Sequence, residues 1–538
     1  MDDAKGGRRR SFYGWGYEDD VVSAEELGWF EKTWSDLFKV DRFEPAPMPV
    51  ESEVALRPSR VAIPATLRDF CTDERHERLF HTWGRSVHDI AKMIHRRDFS
   101  NPPDVVALPR DEADVAAVLD WCGSNGYAAV PFGGGSSVTG GVNHTRDERY
   151  RGLVTIDLRH LNKVLEVDPV SQAARIQAGV LGPHMERQLK PTGLTMRFFL
   201  QAWEFSSLGG WIATRAAGHY ATNYTQIDDH VESLRVVTPA GTIASHRWPT
   251  SGAGPNPDRL FLGSEGALGV ITEAWVRLHK KPTFRSATTV RFGDYEKAVN
   301  ATRVISQAGL FPANARLLER GEALFTEAGD GTKDVLVLTF ESGDHPLDAW
   351  MARALEICAD FGGEWDKEAL EDEESQKKGA AGNWRNKFLR GPYLRPHAIA
   401  RGVMRDTMES CVTWDRYLQF QASVKERTLK AIREITGRPG TCTVRFTHVY
   451  PDGPAPYFTW HAFGDKSRLV EQFWAIKSAA SDAMCDAGGT ITHHHSLGPD
   501  HRKWYDAEVP PLFREVIRAS KDTLDPKWVL NPGILLDK

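Results

Sequence analysis

The feature of this sequence that most constrains its fold is a glycine-rich turn directly after a short apolar run. The run Tyr127–Phe132 leads into Gly133, Gly134 and Gly135, and two serines and a second glycine pair complete the segment 127–142. Glycine adopts positive φ and lets successive backbone N–H groups converge on an anion, so a strand ending in such a loop is a suitable place for a pyrophosphate. A plain glycine-rich turn is the alternative. The loop lacks the Gly-Lys-Ser/Thr of a Walker motif and the spacing of the dinucleotide fingerprint.

Length and composition narrow the class of protein. A chain of 538 residues favours two or three domains, and a net charge of −6 gives no field that would attract nucleic acid. The six cysteines form no CxxC pair, which argues against a zinc or iron–sulfur site and favours a reducing compartment. We find no apolar run of ~18 residues and no secretory, lipidation or peroxisomal signal. The expected location is the cytoplasm, with peripheral membrane contact left open.

Hydrophobic periodicity predicts an α+β fold. Strands are predicted over 104–108, 153–158, 174–178 and 274–278, a helix over 111–123 and a hairpin near residue 240. Strands and amphipathic helices then alternate over 286–480, which predicts an α/β cap of the ferredoxin-like kind. The expected regions are a helical N-terminal extension (1–100), a glycine-rich domain (101–283), a cap domain (284–485) and a C-terminal segment (486–538) returning to the site. The charged stretch 368–386 is predicted to be a mobile loop, and the tail 525–533 to be anchored.

Two further glycine-rich blocks support a ligand site. One covers residues 204–211 (EFSSLGGW) and leads into the small residues of 214–218, and the other covers 263–273 (GSEGALGVITE). Each alone would be a turn in most proteins. Because three such blocks, each flanked by strand signals, occur within ~140 residues, they are harder to dismiss as turns.

The triplet His493-His494-His495 follows a predicted strand entry at 488–492. Successive strand side chains point to opposite faces, so His493 and His495 should share a face that His494 does not. The triplet could then bind a metal only with help from outside, for example from Asp500 or His501. A purely structural strand and polar catalysis beside a cofactor are the other interpretations, since histidine titrates near neutrality.

Four further side chains are candidates in the cap region. Tyr457 opens the aromatic strand PYFTWHAF and is most simply a sheet aromatic. Arg316 lies among apolar residues, where an arginine usually snorkels or pairs, although its planar fork also suits phosphate. Arg445 and His448 lie on a predicted strand over 442–450, should face opposite sides and are weaker candidates.

Taken together, the segments 13–17 (YGWGY), 131–138, 204–211, 263–273 and 493–495 resemble flavoproteins of the vanillyl-alcohol-oxidase/PCMH type. Within that group they are most similar to the alkyldihydroxyacetonephosphate synthase (alkylglycerone-phosphate synthase) family. The resemblance implies a two-subdomain PCMH-type FAD-binding domain and a substrate-binding cap. It also implies an enzyme of ether lipid synthesis, which exchanges the acyl group of acyl-dihydroxyacetone phosphate for a fatty alcohol through a flavin N5 adduct. The implied substrate is lipid-like and phosphorylated, and a homodimer is expected.

The resemblance also assigns site residues. Those placed around FAD are Pro131, Phe132, Gly133, Gly134, Gly135, Ser136, Ser137, Gln201, Ala202, Trp203, Glu204, Phe205, Ser206, Ser207, Thr214, Arg215, Ala216, Ala217, Glu265, Gly266, Ala267, Leu268, Gly269, Val270 and Ile271. Those implied in catalysis are Tyr457, His493, His494, His495, Arg316 and Thr407, with Arg395 on the substrate phosphate and no metal. In many relatives a loop histidine binds the flavin covalently. Residues 131–142 contain none, so we predict non-covalent FAD.

One departure from the family pattern leaves the reaction open. The family has a His-x-Pro-Asp-Ser run before its second glycine block, whereas this chain has FFLQAW over 198–203. Phe198 stands in place of a catalytic histidine, and two polar flavin neighbours become Gln201 and Ala202. An FAD-dependent oxidase or dehydrogenase of a 2-hydroxy acid or alcohol, on the same scaffold, is therefore the alternative function. A flavin-binding protein without activity is the third.

Overall fold

The fold was analysed in a computed structural model, which describes residues 8–366 and 380–538, with no account of the side chains of 380–389. The strands of the described part are β1 (Cys71–Thr72), β2 (Val105–Ala107), β3 (Tyr127–Phe132), β4 (Gly152–Asp157), β5 (Val164–Asp168), β6 (Ala173–Gln177), β7 (Leu194–Thr195), β8 (Val231–Thr238), β9 (Gly241–Ala244), β10 (Val270–Arg277), β11 (His279–Lys280), β12 (Phe284–Phe292), β13 (Asn314–Leu318), β14 (Asp334–Ser342), β15 (Val403–Glu409), β16 (Thr441–Val449) and β17 (Pro454–Phe463).

The helices complete an α+β fold, as predicted. They are α1 (Ala24–Phe38), α2 (Arg75–Phe80), α3 (Val87–His95), α4 (Glu112–Asn125), α5 (Gly182–Leu189), α6 (Leu208–Thr214), α7 (Ala221–Tyr224), α8 (Ile227–His230), α9 (Tyr295–Gln307), α10 (Arg320–Phe325), α11 (Asp348–Asp360), α12 (Ala380–Ala400), α13 (Trp414–Thr436), α14 (Leu469–Asp486), α15 (Gly498–Glu508) and α16 (Pro511–Leu524). None of these helices is long and apolar enough to cross a membrane.

The first sheet delivers the glycine loop. Its strand order is β1-β2-β4-β3, and β3 runs parallel to β4 from Tyr127 opposite Gly152 to Phe132 opposite Asp157. Helix α4, which buries one face, precedes β3; Asp111 caps its N-terminus and Gly126, at φ 69°, ends it. Such a left-handed C-terminal glycine satisfies free helix carbonyls and turns the chain back into a strand. The loop after Phe132 therefore begins at the carboxyl end of a parallel strand.

A second sheet has the order β5-β6-β10-β8-β9 and is antiparallel throughout. The hairpin predicted near residue 240 is its β8–β9 pair, and the third glycine block runs directly into β10. One apolar core joins this sheet to the first and also includes the tail residues Trp528 and Leu530. The two sheets and the three glycine blocks therefore belong to one packed unit.

The cap is a six-stranded antiparallel sheet of order β12-β14-β13-β16-β17-β15. Helices α9, α11, α13 and α14 pack against it. Because Tyr457 lies opposite both Glu409 and Arg445, and Thr407 lies opposite Thr459, these side chains share one face of the sheet. That face carries the polar groups of the site.

The tail is anchored, as predicted. Leu530 bridges to Ala129 in β3, and the side-chain amide of Asn531 donates to the carbonyls of Gly141 at 3.0 Å and Glu265 at 2.6 Å. The amide nitrogen therefore connects the glycine loop to the third glycine block.

The prediction of a mobile loop over residues 368–386 can be compared with the structure only for its second part. Its first part, 368–379, lies outside the described residues. From Ala380 onward the chain is helical, so the prediction is wrong for 380–386. The glycines and charges of the stretch indicate a loop, but the high helix propensity of its alanines prevails. The division into four regions stays a prediction.

Candidate active site

The glycine loop has the geometry of an anion-binding nest. Gly135 has φ 69°, and a Cβ on Gly134 would lie 1.6 Å from the carbonyl oxygen of Phe205, so the two segments pack backbone to backbone. In the described part of the chain, the N–H groups of Gly134, Gly135, Ser136 and Ser137 find no hydrogen-bond acceptor. Four successive amides without a partner are what a bound pyrophosphate requires.

Three cavities border this loop, and two of them, which adjoin, bring most of the predicted cofactor residues together. The larger of these two, of about 210 Å³, lies between the loop, the segment 199–202 and the cap sheet. The smaller, of about 90 Å³, reaches the third glycine block. The predicted residues that line one or both are Pro131, Phe132, Gly133, Gly134, Gly135, Ser136, Ser137, Gln201, Ala202, Ser206, Ser207, Thr214, Ala216, Ala217, Glu265, Gly266, Gly269, Val270 and Ile271.

Six predicted cofactor residues lie outside these two cavities, although Glu204 and Phe205 line the third, which has a volume of about 550 Å³. Arg215 pairs with Asp228, and Glu204 accepts a hydrogen bond from Tyr393. Phe205 packs under the guanidinium of Arg10, and Trp203 packs against Gly182. Ala267 and Leu268 are buried in the core. In a turn or helix only part of a continuous motif can face one cavity.

Glu265 connects the third glycine block to the segment after the histidine triplet. Its backbone is held at φ 48°, and its carboxylate accepts N–H bonds from Leu497 at 2.5 Å and Gly498 at 3.0 Å. Burial raises the pKa of Glu265 to about 7, against the lowering effect of those two hydrogen bonds. The group therefore titrates in the physiological range.

The histidine triplet is not on a strand, so the predicted alternation is wrong. The carboxylate of Glu409 accepts the backbone N–H groups of His493 at 2.6 Å, His494 at 3.1 Å and His495 at 3.0 Å. Three consecutive backbone amides can donate to one carboxylate only if the chain curves around that carboxylate. Pairing with a neighbouring strand would have kept the chain extended. All three imidazole rings therefore lie around one buried anion.

The rings themselves form a neutral cluster. Nδ1 of His493 lies 3.0 Å from Nδ1 of His494, and Nε2 of His493 lies 2.9 Å from the hydroxyl of Tyr450. Burial, and then the repulsion that a protonated His494 would exert, lower the pKa of His493 to about 4, although Glu409 opposes this. His494 and His495 line the larger cavity. An uncharged imidazole has one ring nitrogen that donates a hydrogen bond and one that accepts, so it can pass a proton between two neighbouring groups.

The residues that could hold a metal ion differ from those expected. One ring nitrogen each from His448, His493 and His494 lies within 4.8 Å of the others. Neither predicted helper joins them, because Asp500 pairs with His88 at 2.8 Å and His501 bonds a backbone carbonyl.

Tyr457 and Thr407 meet in the larger cavity. The hydroxyl of Tyr457 donates to Oγ1 of Thr407 at 3.0 Å, the guanidinium of Arg445 lies 4.0 Å from the centre of the tyrosine ring, and the ring of His494 stacks at 5.9 Å. The phenol is thus placed between a cation and a neutral base.

Arg445 and His448 face the same side, contrary to prediction. The pairing of β16 with β17 shifts register between Phe446 and His448, and this bulge reverses the alternation. Both residues line the cavity. Arg445 forms a buried ion pair with Glu322, and Nε2 of His448 lies 2.8 Å from the carbonyl oxygen of Gly218.

Arg316 and Arg395 also line the cavity. Arg316 is 2% exposed and donates to the carbonyl of Thr447 at 3.3 Å. Burial, and then the charge of Arg445, hold its pKa well below the usual range. Arg395 on α12 donates to the carbonyl of Arg85 at 3.0 Å. Guanidinium groups clustered beside a cavity favour a negatively charged ligand.

Three findings escaped the sequence analysis. His219 lines the larger cavity, with Nε2 3.0 Å from the side-chain nitrogen of Asn314, and no motif drew attention to it. Arg405 lies two residues before Thr407 on β15, so strand alternation would have placed both on one face. Phe198, by contrast, packs in the core against Trp211 and does not line the cavity.

Comparison with known proteins gives consistent matches over the whole fold. The family model described as FAD binding domain matches residues 103–246, and the model described as FAD linked oxidases, C-terminal domain, matches residues 281–535. The alkyldihydroxyacetonephosphate synthase of Caenorhabditis elegans is 30% identical over 491 residues, which covers 87% of this chain and 81% of the relative. That of Dictyostelium discoideum is 29% identical over 487 residues, covering 87% and 79%. A solved alkyldihydroxyacetonephosphate synthase structure shares the fold, with a TM-score of 0.79 at 24% identity over 97% of this chain and 98% of that chain.

Proposed function

Because this chain belongs to the alkyldihydroxyacetonephosphate synthase family of FAD-linked flavoproteins, we propose that it exchanges the acyl group of acyl-dihydroxyacetone phosphate for a fatty alcohol. One observation carries the proposal. Tyr457, His494 and His495 of the triplet, and the arginines Arg316 and Arg395 converge on a single cavity beside the glycine loop. Such a cavity offers proton transfer and anion binding side by side, which the exchange requires.

FAD is the cofactor of this chain, and the site fits it. The four amides of residues 134–137 lack an acceptor and are suited to bind its pyrophosphate. Glycine is required at 133 and 134, because a Cβ at either position would collide with the segment packed behind the loop. Bound FAD supplies the covalent chemistry of the exchange. We propose that it is held without a covalent bond, since residues 131–142 contain no histidine.

The residues of the chain bind the substrate and move its protons. Arg395 would bind the substrate phosphate through its guanidinium fork. The hydroxyl of Tyr457, fixed by Thr407, would transfer a proton to or from the exchanging oxygen, with neutral His494 beside it as the acceptor. Arg316 and Arg445 would stabilise negative charge, because electrostatic interactions are strong in a site that excludes water.

The decisive experiment is an ether-bond assay with the purified FAD-loaded protein. Acyl-dihydroxyacetone phosphate and labelled fatty alcohol should give a labelled ether and release the fatty acid. An anaerobic screen with lactate and glycolate runs beside it. Bleaching of the visible flavin band by either acid, without ether formation, would overturn the proposal in favour of 2-hydroxy-acid oxidation.

We also propose a homodimer in the cytoplasm that touches membranes peripherally. The side chains of Leu512, Phe513 and Val516 on the first turns of α16 are at least half exposed, beside Arg514 and Arg518, and suit the surface of an anionic bilayer. Flotation with anionic vesicles should be lost in the double variant Leu512→Glu/Phe513→Glu. Analytical ultracentrifugation of the wild type would reveal the oligomeric state.

A further inference from the structure

A narrow pocket opens from the larger cavity between α12 and the polar face of the cap sheet. Its charged lining comes from Arg395, Arg405 and Arg445, and its apolar wall includes Trp34 and Leu394. Arg405 lies opposite His461 in the pairing of β15 with β17, just as Thr407 lies opposite Thr459, so Arg405 shares the face of the sheet that carries Tyr457. The pocket is therefore continuous with the site already described, but Arg405 has no role in it so far.

Arg405 has no acceptor of its own. Among the described residues its guanidinium donates no hydrogen bond and forms no ion pair. The neighbouring Asp406 cannot serve, because strand alternation sends its carboxylate to the other face, where Lys477 donates to it at 3.2 Å. Nη1 of Arg405 lies only 3.8 Å from where a Cβ on Gly391 would stand, so α12 closes over it. Arg405 is half-buried, and a guanidinium without an acceptor at the edge of a cavity is suited to bind an anionic ligand.

The charges around the pocket do not balance. Arg316, Arg395, Arg405 and Arg445 bring four positive charges to this part of the site, and the buried carboxylates Glu322 and Glu409 bring two negative charges. Two positive charges remain. A guanidinium keeps its proton in a protein, so the mutual repulsion persists until an anion enters. A phosphate monoester carries a charge of about −1.5 to −2 at neutral pH and offers three acceptor oxygens, which matches this excess; a carboxylate would neutralise only half of it.

We propose that Arg405 is a second phosphate-binding residue, which together with Arg395 makes this site selective for substrates that carry a phosphate monoester. The inference relies on the proposed function for the identity of the phosphorylated substrate. It adds that substrate recognition depends on two guanidiniums supplied by different elements, α12 and β15. Because each can donate two parallel hydrogen bonds, the phosphate is fixed in orientation as well as in place.

The test measures binding without turnover. FAD-loaded wild type and the variants Arg405→Gln, Arg405→Lys and Arg438→Gln are titrated calorimetrically with dihydroxyacetone phosphate, inorganic phosphate and uncharged dihydroxyacetone. Arg438 is exposed on the same domain and serves as the matched control. Loss of a charge-assisted contact should weaken binding of both phosphates about 10- to 100-fold in Arg405→Gln. Arg405→Lys, which keeps the charge but not the fork, should fall in between, and Arg438→Gln should match the wild type.

Several outcomes would overturn the inference. These are unchanged phosphate binding by Arg405→Gln, equal weakening for phosphorylated and uncharged dihydroxyacetone, or no phosphate binding by the wild type. If Arg405→Gln loses FAD, the Arg405→Lys variant decides, since its charge is retained. Because no fatty alcohol is present, the result is independent of ether formation. If phosphate binding depends on Arg405 but no ether forms, the proposed reaction is wrong and the role of Arg405 stands. If ether forms but phosphate binding does not depend on Arg405, only the role of Arg405 is wrong.

Discussion

The hydroxyl group of Tyr457 is the proton-transfer group best placed in the cavity, because Thr407, Arg445 and His494 hold it from three sides. Replacement by phenylalanine removes one oxygen and leaves the ring in place. We predict that Tyr457→Phe lowers turnover about 10²- to 10⁴-fold, the usual contribution of general acid–base catalysis. FAD content should stay at the wild-type level. Steady-state assay of ether formation, with flavin absorbance as the check on loading, measures both.

The matched control is Tyr295→Phe. The hydroxyl of Tyr295 also bonds another side chain, Tyr417, at 2.6 Å, but it lies within the helices and strands of the cap and not in the cavity. Its loss should cost about 1 kcal/mol of stability and leave turnover within a few-fold of the wild type. If both variants lost turnover equally, Tyr457 would be supporting the fold and not the reaction.

Glu265 makes the stability of the protein depend on pH. Its folded pKa of about 7 is above the ordinary value of about 4.3, so the folded state holds the proton more tightly than the unfolded state. The contribution of this proton to the free energy of unfolding is present in full below about pH 4.3 and is lost as the pH rises through 7. We predict that the wild type loses about 2.5 kcal/mol between pH 5 and 8 relative to Glu265→Gln, whose side chain cannot ionise.

Urea denaturation at pH 5 and pH 8, with FAD in excess, would measure this difference. Glu53→Gln is the control, since Glu53 is exposed and should follow the wild type at both values. Parallel pH profiles for the wild type and Glu265→Gln would show that Glu265 is ionised throughout.

At the scale of elements, the glycine loop depends on backbone contact with the second glycine block. A methyl group on Gly134 would stand 1.6 Å from the carbonyl oxygen of Phe205, so Gly134→Ala must push the two segments apart. We predict that Gly134→Ala lowers the free energy of unfolding by about 1–3 kcal/mol or more. Most bound FAD should also be lost, because the amides of the nest move with the loop. The ratio of flavin to protein absorbance and the melting temperature measure the two effects.

Gly293→Ala is the matched substitution. A methyl group on Gly293 would meet no atom within 4 Å, and this glycine lies before α9, away from both cavities. The variant should stay within about 0.5 kcal/mol of the wild type and keep its FAD. Full FAD occupancy in Gly134→Ala would show that the loop is not part of the cofactor site.

The sequence predicts what is decided locally and misses what is decided by distant partners. The loop after β3 follows from its glycines, and α4 from its periodicity and cap. The shape of the histidine triplet does not, because its amides bond to Glu409, which lies 84 residues from His493. The common face of Arg445 and His448 depends on a bulge that alternation cannot reveal. Residue types at the site were thus predictable, whereas their orientation depended on tertiary contacts.

At the scale of the whole molecule, the cofactor site is built from parts far apart in the chain. The glycine loop, the third glycine block and the tail are joined by Asn531, while the cap contributes the opposite wall of the larger cavity. A ligand that binds only this assembled state stabilises the entire fold by mass action. FAD should therefore act on global stability as well as on catalysis.

Acid precipitation should release the flavin into the supernatant, because no histidine of the loop 131–142 is available to bind it covalently. Apoprotein prepared under mild conditions should then regain about 2.7 kcal/mol when FAD is added at 100 times its Kd, and its melting temperature should rise accordingly. Calorimetric melting with FAD, with FMN as the matched ligand that lacks the pyrophosphate and adenosine, measures the effect. FMN should give little of it, since it offers one phosphate to a nest suited to two. Colour retained in the acid pellet would contradict non-covalent binding, and equal stabilisation by FMN would contradict the placement of the pyrophosphate at residues 134–137.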